Sequence, residues 1–404
     1  MQILKADFLL TCKENFEIIQ NGAICFEKEI IDLDSYENIK KRYPNISVTD
    51  LGANSVILPG LINPHVHLEF SANKTTLQYG DFISWLGSVI KHRDEITTKG
   101  KEEIASALKS ILKSGTTSIG AISSFGGELQ ECVSSKLRVV YFNEILGSRP
   151  DTVDILFEDF KSRLHRSEDL ANELFIPAIS VHSPYSTHPI LAKNALDIAK
   201  KRDYVVSTHF MESQAERDWL DSAKGDFQEF FSSFIPNAKP LCNSFEYIEL
   251  FKENKTLFTH CTKASKEEIE KIISQNGYIT HCPVSNRLLG NGRLNIEEIE
   301  EKSLTLGTDG LSSNNSLNLW DEMRMAMMMH FEADLKELSK TLLQASTINS
   351  AKALNLNSGS LEIGKNADII TLRLPDLTLK EDVATQLILH TKEAKDIYIN
   401  GKSV

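Results

Sequence analysis

Apolar positions along this chain fall into three patterns. Eight runs are apolar without alternation: "NSVILPGLINPHVHLEF", "TTSIGAISS", "LRVVYFNEIL", "LFIPAISVHS", "YVVSTHF", "TLFTHC", "YITHCP" and "LTLGTDG". Runs of this kind predict parallel strands buried on both faces. Between them lie helical patterns. In "GKEEIASALKSILKSG", Ile104, Leu108, Ile111 and Leu112 share a face ahead of Gly115. In "SKEEIEKIISQNG", Ser265 and Glu268 read as a capping box and Gly277 as the stop. Both termini differ, with short strand-like segments and turn signals. Asn21-Gly22 and Asn400-Gly401 each predict a hairpin turn. The expected fold is an α/β chain with a (β/α)8 TIM-like barrel over residues 58–357. Residues 1–57 and 358–404 are expected to combine into one small β-sandwich domain.

Polar residues that bind metals or move protons stand at the ends of these runs. His65 and His67 are alternate residues at the end of the first run, so both side chains leave an extended chain on one side. Neutral imidazole is a common zinc and iron(II) ligand. His209 ends the fifth run and offers a third nitrogen; Asp309, in "LTLGTDGLSSN", offers a carboxylate as fourth ligand and proton acceptor. Glu212 lies three residues past His209, where a carboxyl can shuttle protons to a substrate nitrogen; its plainer role would be a helix cap. His260 ends the sixth run and can orient or deprotonate a water, or serve as a histidine bonded to the backbone. His182 ends the fourth run and is expected to contact substrate, while His281 divides evenly between structural and functional roles. Solvated or packing roles are expected for His92, His165, His188, His330 and His390, and core packing for the run "MRMAMMMH". One divalent metal ion, zinc or iron(II), is the cofactor expected of a His3Asp set.

Composition narrows the partners. The 404 residues carry a formal net charge of −12, with 41% hydrophobic and 25% charged residues. This balance suits a globular protein and argues against nucleic acid as a partner. No apolar run approaches the length needed to span a bilayer, and "MQILKADFLLTCKENF" is broken by Lys and Asp, unlike a signal peptide. Six cysteines without paired spacing predict a reduced, cytoplasmic protein. The H-x-E then P-C-x-x-C signature of cysteine-ligated nucleobase deaminases is absent. The oligomeric state is open, with a homodimer compatible.

With these motifs assembled, the chain resembles the amidohydrolase superfamily, in its branch of chlorohydrolases and nucleoside deaminases. The resemblance rests on "PGLINPHVHLEF", "VHSPYS", "THFMES", "HCPVSNRLLG", "LGTDGLSSNNSLNLWDEMR" and "GSLEIGKNADII", which span nearly the whole chain. Within that branch, "EFSANKTTLQYGDFISWLGSVI" and "LKSGTTSIGAISS" look most like 6-aminodeoxyfutalosine deaminases. The resemblance implies metal-dependent hydrolysis of 6-aminodeoxyfutalosine to futalosine and ammonia, a step of menaquinone biosynthesis. Methylthioadenosine, S-adenosylhomocysteine or adenosine are the alternative substrates; amide or halide hydrolysis and a non-catalytic binding role are more distant ones. It also implies metal ligation by His65, His67, His209 and Asp309, proton transfer by Glu212 and His260, and substrate contact by His182. Methylthioadenosine deaminases carry a W-L-x-x-x-I-W-P-x-E segment whose glutamate grips the ribose. Here Trp85, Leu86 and Ile90 remain, but Lys91, His92 and Asp94 replace the last Trp, Pro and Glu. This departure points away from ribose recognition by that route and toward a substrate with a different 5′ substituent. Trp85 is expected to pack on substrate, and the benzoate-like carboxylate of such a substrate to meet Arg149 or Arg287.

Overall fold

The computed structural model describes residues 1–404 apart from 73, 74, 99, 234, 236, 377 and 378, and excludes the side chains of 94–98. Asp94, singled out above, thus has its side chain outside the described residues.

Strands β1 (Gln2–Leu10), β2 (Ile18–Phe26), β3 (Ile30–Ser35), β4 (Val48–Asp50) and β5 (Ser55–Pro59) open the chain. The eight apolar runs become β6 (Leu61–His67), β7 (Thr116–Ser123), β8 (Arg138–Ile145), β9 (Phe175–Val181), β10 (Val206–Phe210), β11 (Thr256–His260), β12 (Tyr278–His281) and β13 (Leu304–Leu306). These pair in chain order as one parallel sheet, and nearly all of their residues are buried. Helices cover the outside, which is why both strand faces are apolar. Between β13 and β6 the barrel is nearly closed. There the Asp309 N–H donates to the His65 carbonyl at 3.1 Å, and the Asn63 amide donates to Thr308 Oγ1 at 2.7 Å. The capping box at Ser265 forms on the helix Lys266–Ser274, but the left-handed residue after it is Asn276 (φ 58°) rather than Gly277.

The chain ends in β14 (Ile369–Arg373), β15 (Asp396–Ile399) and β16 (Lys402–Ser403). They join the N-terminal strands in one sheet ordered β16-β15-β14-β5-β1-β2-β3, with β4 also on β1. Asn400 (φ 49°) and Gly401 (φ 71°) form the expected two-residue hairpin turn. Asn21-Gly22 does not form a turn. It lies inside β2, which pairs with β1 in unbroken register from Gln2↔Phe26 to Leu10↔Ile18. Pairing along the whole of β1 outweighs the local turn preference, and Asn21 (φ 46°) only kinks the strand. The chain passes from sheet to barrel at Gly60, where a Cβ would lie 2.2 Å from the Thr117 side chain. At the same N-terminal end of the barrel, buried Arg138 of β8 pairs with buried Asp368 at 3.0 Å and donates to Asn400 Oδ1. The sheet is thus fastened to the barrel face opposite the strand C-termini.

Candidate metal centre and its cavity

Parallel strands bring their C-terminal ends to one face, so residues distant in sequence meet there. His67 Nε2 lies 3.2 Å from His209 Nε2. Asp309 Oδ1 lies 3.9 Å from His65 Nε2 and 3.8 Å from His67 Nε2. The imidazoles of His65 and His209 meet edge to face, with centroids 4.9 Å apart. Two ligands at tetrahedral bond lengths of about 2.0–2.1 Å stand roughly 3.3 Å apart, close to the His67–His209 separation.

Each ring is turned by a partner on its far nitrogen. His209 Nδ1 donates to the His182 carbonyl at 2.9 Å, which leaves Nε2 a lone pair facing inward. His65 Nδ1 contacts Thr259 Oγ1 at 3.3 Å, while its buried Nε2 has no protein hydrogen-bond partner. An inward-facing, unpartnered nitrogen beside a carboxylate is what a divalent cation would satisfy, so the donor set fits such an ion. His65, His209 and His260 also bring one ligand atom each within 4.8 Å of one another, as do His65, His67 and Asp309.

Burial holds these groups in the required charge states. It depresses the His65 pKa well below the ordinary histidine value and takes His182 and His209 to about 3, with neighbouring rings adding to the effect. The neutral form is favoured in all three, and it is the form in which His65 and His209 can offer a lone pair to a cation. Burial also raises Asp309, but His67, His260 and the Ser313 hydroxyl outweigh it and hold the carboxyl below its usual value. The Ser285 and Ser313 hydroxyls donate to Asp309 Oδ2 at 2.8 and 2.7 Å, so Oδ1 is the oxygen turned to the histidines.

Glu212 is only 5% exposed. Burial raises its pKa well above the carboxylate range, with Asp309 and Glu216 adding to the rise, which favours the protonated form. Its Oε1 accepts from the Asn291 amide at 3.2 Å and lies 3.6 Å from His260 Nε2. Glu216 fixes the turn that presents it, accepting from the Met211 and Glu212 N–H groups, both at 2.9 Å. His260 Nδ1 donates to Asn286 Oδ1 at 2.9 Å, which directs Nε2 toward Glu212. His260 (φ 73°) and Asp309 (φ 59°) are both left-handed, a strained conformation of a kind that clusters at functional sites. Asn286, Asn291 and Glu216 are absent from the sequence-based candidates. Asn286 was visible as the last residue of "HCPVSN", but only its tertiary contact shows its use.

A cavity of about 450 Å3 opens over this cluster, lined by His67, His182, His209, Glu212, His260 and Asp309 on its inner side. Its volume suits a small organic ligand. His182 Nδ1 is engaged by Ser183 and Ser186 at 3.0 and 2.5 Å, leaving Nε2 for a ligand. Trp85 also lines the cavity and donates from Nε1 to the Ser312 carbonyl at 2.8 Å. Arg149 does not reach this cavity. It pairs with Asp151 and lines a neighbouring pocket of about 220 Å3. Arg287 is exposed on the helix Pro283–Leu288 and lines neither. His281 also lies outside the cavity, buried with its Nε2 3.4 Å from His330 Nε2, so His330 is a core residue. All six cysteines are free, and no described helix is long and apolar enough to cross a membrane.

The comparisons with known proteins agree with this geometry. The model of the amidohydrolase family matches residues 56–404. An aminodeoxyfutalosine deaminase of a Nitratiruptor species is 47% identical, covering 100% of this chain and 99% of the relative. An adenosine deaminase of Helicobacter pylori is 36% identical over 100% of this chain and 99% of its own length. The crystal structure of Helicobacter pylori aminofutalosine deaminase in complex with methylthio-coformycin superposes with a TM-score of 0.95 at 36% identity, covering 100% of both chains.

Proposed function

This chain belongs to the amidohydrolase family, and we propose that it hydrolyses the exocyclic C–N bond of 6-aminodeoxyfutalosine, giving futalosine and ammonia in menaquinone biosynthesis. One observation carries the reading. A buried Glu212, whose surroundings favour the protonated form, shares a cavity with His260 and with a three-histidine, one-aspartate donor set. That pairing supplies a proton source on one side of a bound heterocycle and a nucleophile source on the other. Full-length similarity to an aminodeoxyfutalosine deaminase points to the substrate. Adenosine, named for the Helicobacter pylori relative, is the alternative.

His65, His67, His209 and Asp309 would hold one divalent ion, and zinc and iron(II) both accept these donors. When bound, the ion supplies an activated water, since coordination brings the pKa of water from about 15.7 to near 7. Glu212 delivers its proton to the ring nitrogen beside the amine-bearing carbon, which makes that carbon electrophilic. His260, neutral through burial and tethered by Asn286, offers Nε2 to orient the attacking water and take up its proton. Asp309 accepts the remaining proton of the added hydroxyl and passes it to the departing amine, while His260 returns its proton to Glu212, 3.6 Å away, so that both groups are restored. His182 donates to the substrate from Nε2, and Trp85 packs against it.

The test is ultraviolet-monitored deamination of 6-aminodeoxyfutalosine, methylthioadenosine and adenosine by metal-quantified protein. A clear kcat/KM preference for the first is expected. Preference for adenosine would move the protein to the alternative, and no purine deamination by metallated protein would remove the reading.

A further inference from the structure

A neutral His260 offers a lone pair at Nε2 only while Nδ1 carries the proton, and from Nδ1 a chain of side chains leads to the protein surface. Asn286 Oδ1 accepts from that nitrogen at 2.9 Å. The Asn286 amide Nδ2 lies 3.4 Å from Nδ1 of His281, the last residue of β12. His281 Nε2 lies 3.4 Å from Nε2 of His330, just past the helix Leu319–Met329. His330 Nδ1 in turn lies 3.5 Å from Oε1 of the exposed Glu297. The four inner residues are all buried. Burial, with Arg293 adding to it, holds the His281 and His330 pKa values below the ordinary histidine value and favours neutral rings. A neutral imidazole has one donor and one acceptor nitrogen, so each link sets the direction of the next. With Asn286 Oδ1 accepting from His260, its NH2 donates to His281 Nδ1. The His281 proton is then on Nε2, facing His330 Nε2, and the His330 proton is on Nδ1, facing the Glu297 carboxylate. Arg293 competes at the outer end, its Nη1 2.5 Å from His330 Nδ1 and 2.6 Å from Glu297 Oε1. A guanidinium only donates. Bonded to Nδ1, it would reverse every link, turn the Asn286 amide and leave the His260 proton on Nε2.

We propose that His281, His330 and Glu297 are positioning residues that fix the His260 proton on Nδ1, so that Nε2 faces the cavity ready to take up a proton. The inference rests on the deaminase reading above, in which His260 receives a proton from the attacking water. None of the three lines the cavity, so they act through Asn286 and His260 rather than on substrate. Glu297 holds the outer end in the productive direction because a carboxylate accepts from a ring N–H in a charge-assisted bond. Arg293 has acceptors of its own in Glu297 and in Asn295 Oδ1, the latter at 3.3 Å, and does not need the imidazole.

The test compares kcat and KM for 6-aminodeoxyfutalosine in zinc-loaded wild type, His281→Leu, His281→Gln, Glu297→Leu and the double variant Glu297→Leu with Arg293→Met. Nitrogen-15 spectra of histidine-labelled protein, with His260 assigned by its loss in His260→Gln, report which of its ring nitrogens is protonated. His281→Leu should lower kcat roughly 10- to 100-fold while KM and zinc content stay near wild type. His281→Gln should recover much of that loss, because its amide oxygen can accept from Asn286 and its NH2 can donate to His330. Glu297→Leu leaves Arg293 as the outer partner, so kcat should fall and the His260 proton should move from Nδ1 to Nε2. Adding Arg293→Met should restore part of kcat, whereas two residues that merely pack would lose more together. Glu297 and Arg293 are exposed, so these variants decide the matter even where His281→Leu fails to fold. A His260 proton on Nε2 in the wild type, one that stays on Nδ1 in Glu297→Leu, or His281→Gln as slow as His281→Leu would overturn the inference. The spectra need no turnover, so a wild type inactive on 6-aminodeoxyfutalosine would sink the deaminase reading while the proton's position still judged the relay.

Discussion

Replacing Glu212 by Gln tests the proposed chemistry with the least disturbance. The amide has nearly the shape of the carboxylic acid. Its oxygen can take the place of Oε1, which accepts from the Asn291 amide at 3.2 Å and lies 3.6 Å from His260 Nε2. What disappears is the transferable proton. Positioned general acids contribute about 10²- to 10⁴-fold, or roughly 2.7–5.4 kcal/mol at about 1.36 kcal/mol per decade. Glu212→Gln should therefore lose kcat by that range on every substrate, while metal content, measured by elemental analysis, stays at the wild-type value. A variant with full metal and a kcat near wild type would refute the assignment of Glu212 as proton donor.

The same substitution carries a stability signature. The folded-state pKa of Glu212 lies well above its unfolded value of about 4.3, so folding takes up a proton as pH rises past that value. The stability linked to this carboxyl is present below the unfolded pKa and lost as pH rises through the folded one. Gln does not titrate. In metal-free protein, the Tm of Glu212→Gln relative to wild type should become more favourable as pH rises above the unfolded value of about 4.3. A pH-independent difference would mean that the folded protein does not hold the proton.

Three further outcomes follow from the geometry. Chelation, or His65→Ala, should remove the metal and abolish deamination, and readdition of zinc or iron(II) should restore the chelated wild type but not the variant; activity in metal-free wild type would contradict the donor set. Asn286→Ala frees the His260 ring and should lower kcat roughly 10- to 100-fold, the usual scale for losing a partner that orients a site histidine, with metal content and substrate KM little changed. Arg138→Met strands buried Asp368 between barrel and terminal sheet and should cost about 3–5 kcal/mol of stability, read as a lowered Tm with kcat per bound metal intact.

Much of this architecture was legible because the barrel obeys a rule visible in one dimension. Seven unalternating apolar runs each became a barrel strand, the first run divided between β5 of the terminal sheet and β6 of the barrel, and a parallel sheet sends every strand's last residues to one face. His67, His209, His260 and Asp309 could thus be grouped although 242 positions separate the first from the last. The terminal sheet was harder to read. Asn21-Gly22 carries a strong turn preference, yet pairing along all of β1 outweighed it and moved the turn to residues 11–17. Residues that steady the site were harder still. Asn286 follows β12 but serves His260 of β11, and Glu216 binds the very turn it follows. Such contacts depend on how neighbouring loops fold back, which no periodicity records.

The arginines show the limit most clearly. Arg149 and Arg287 were reasonable candidates because both follow strands near the catalytic face. β8, however, ends at Ile145, and the chain has turned outward to Asp151 by the time it reaches Arg149. Arg93 is 26 residues beyond β6 and 23 before β7, within the long crossover between them. Its helix lines the cavity, where Trp85 is tied to Ser312 and the Phe82 ring lies 6.1 Å from that of Phe227. On a barrel the strand ends set the reaction, while segments packed over the mouth set the substrate. For this chain the first were readable from hydrophobic pattern and residue type; the second required the tertiary structure.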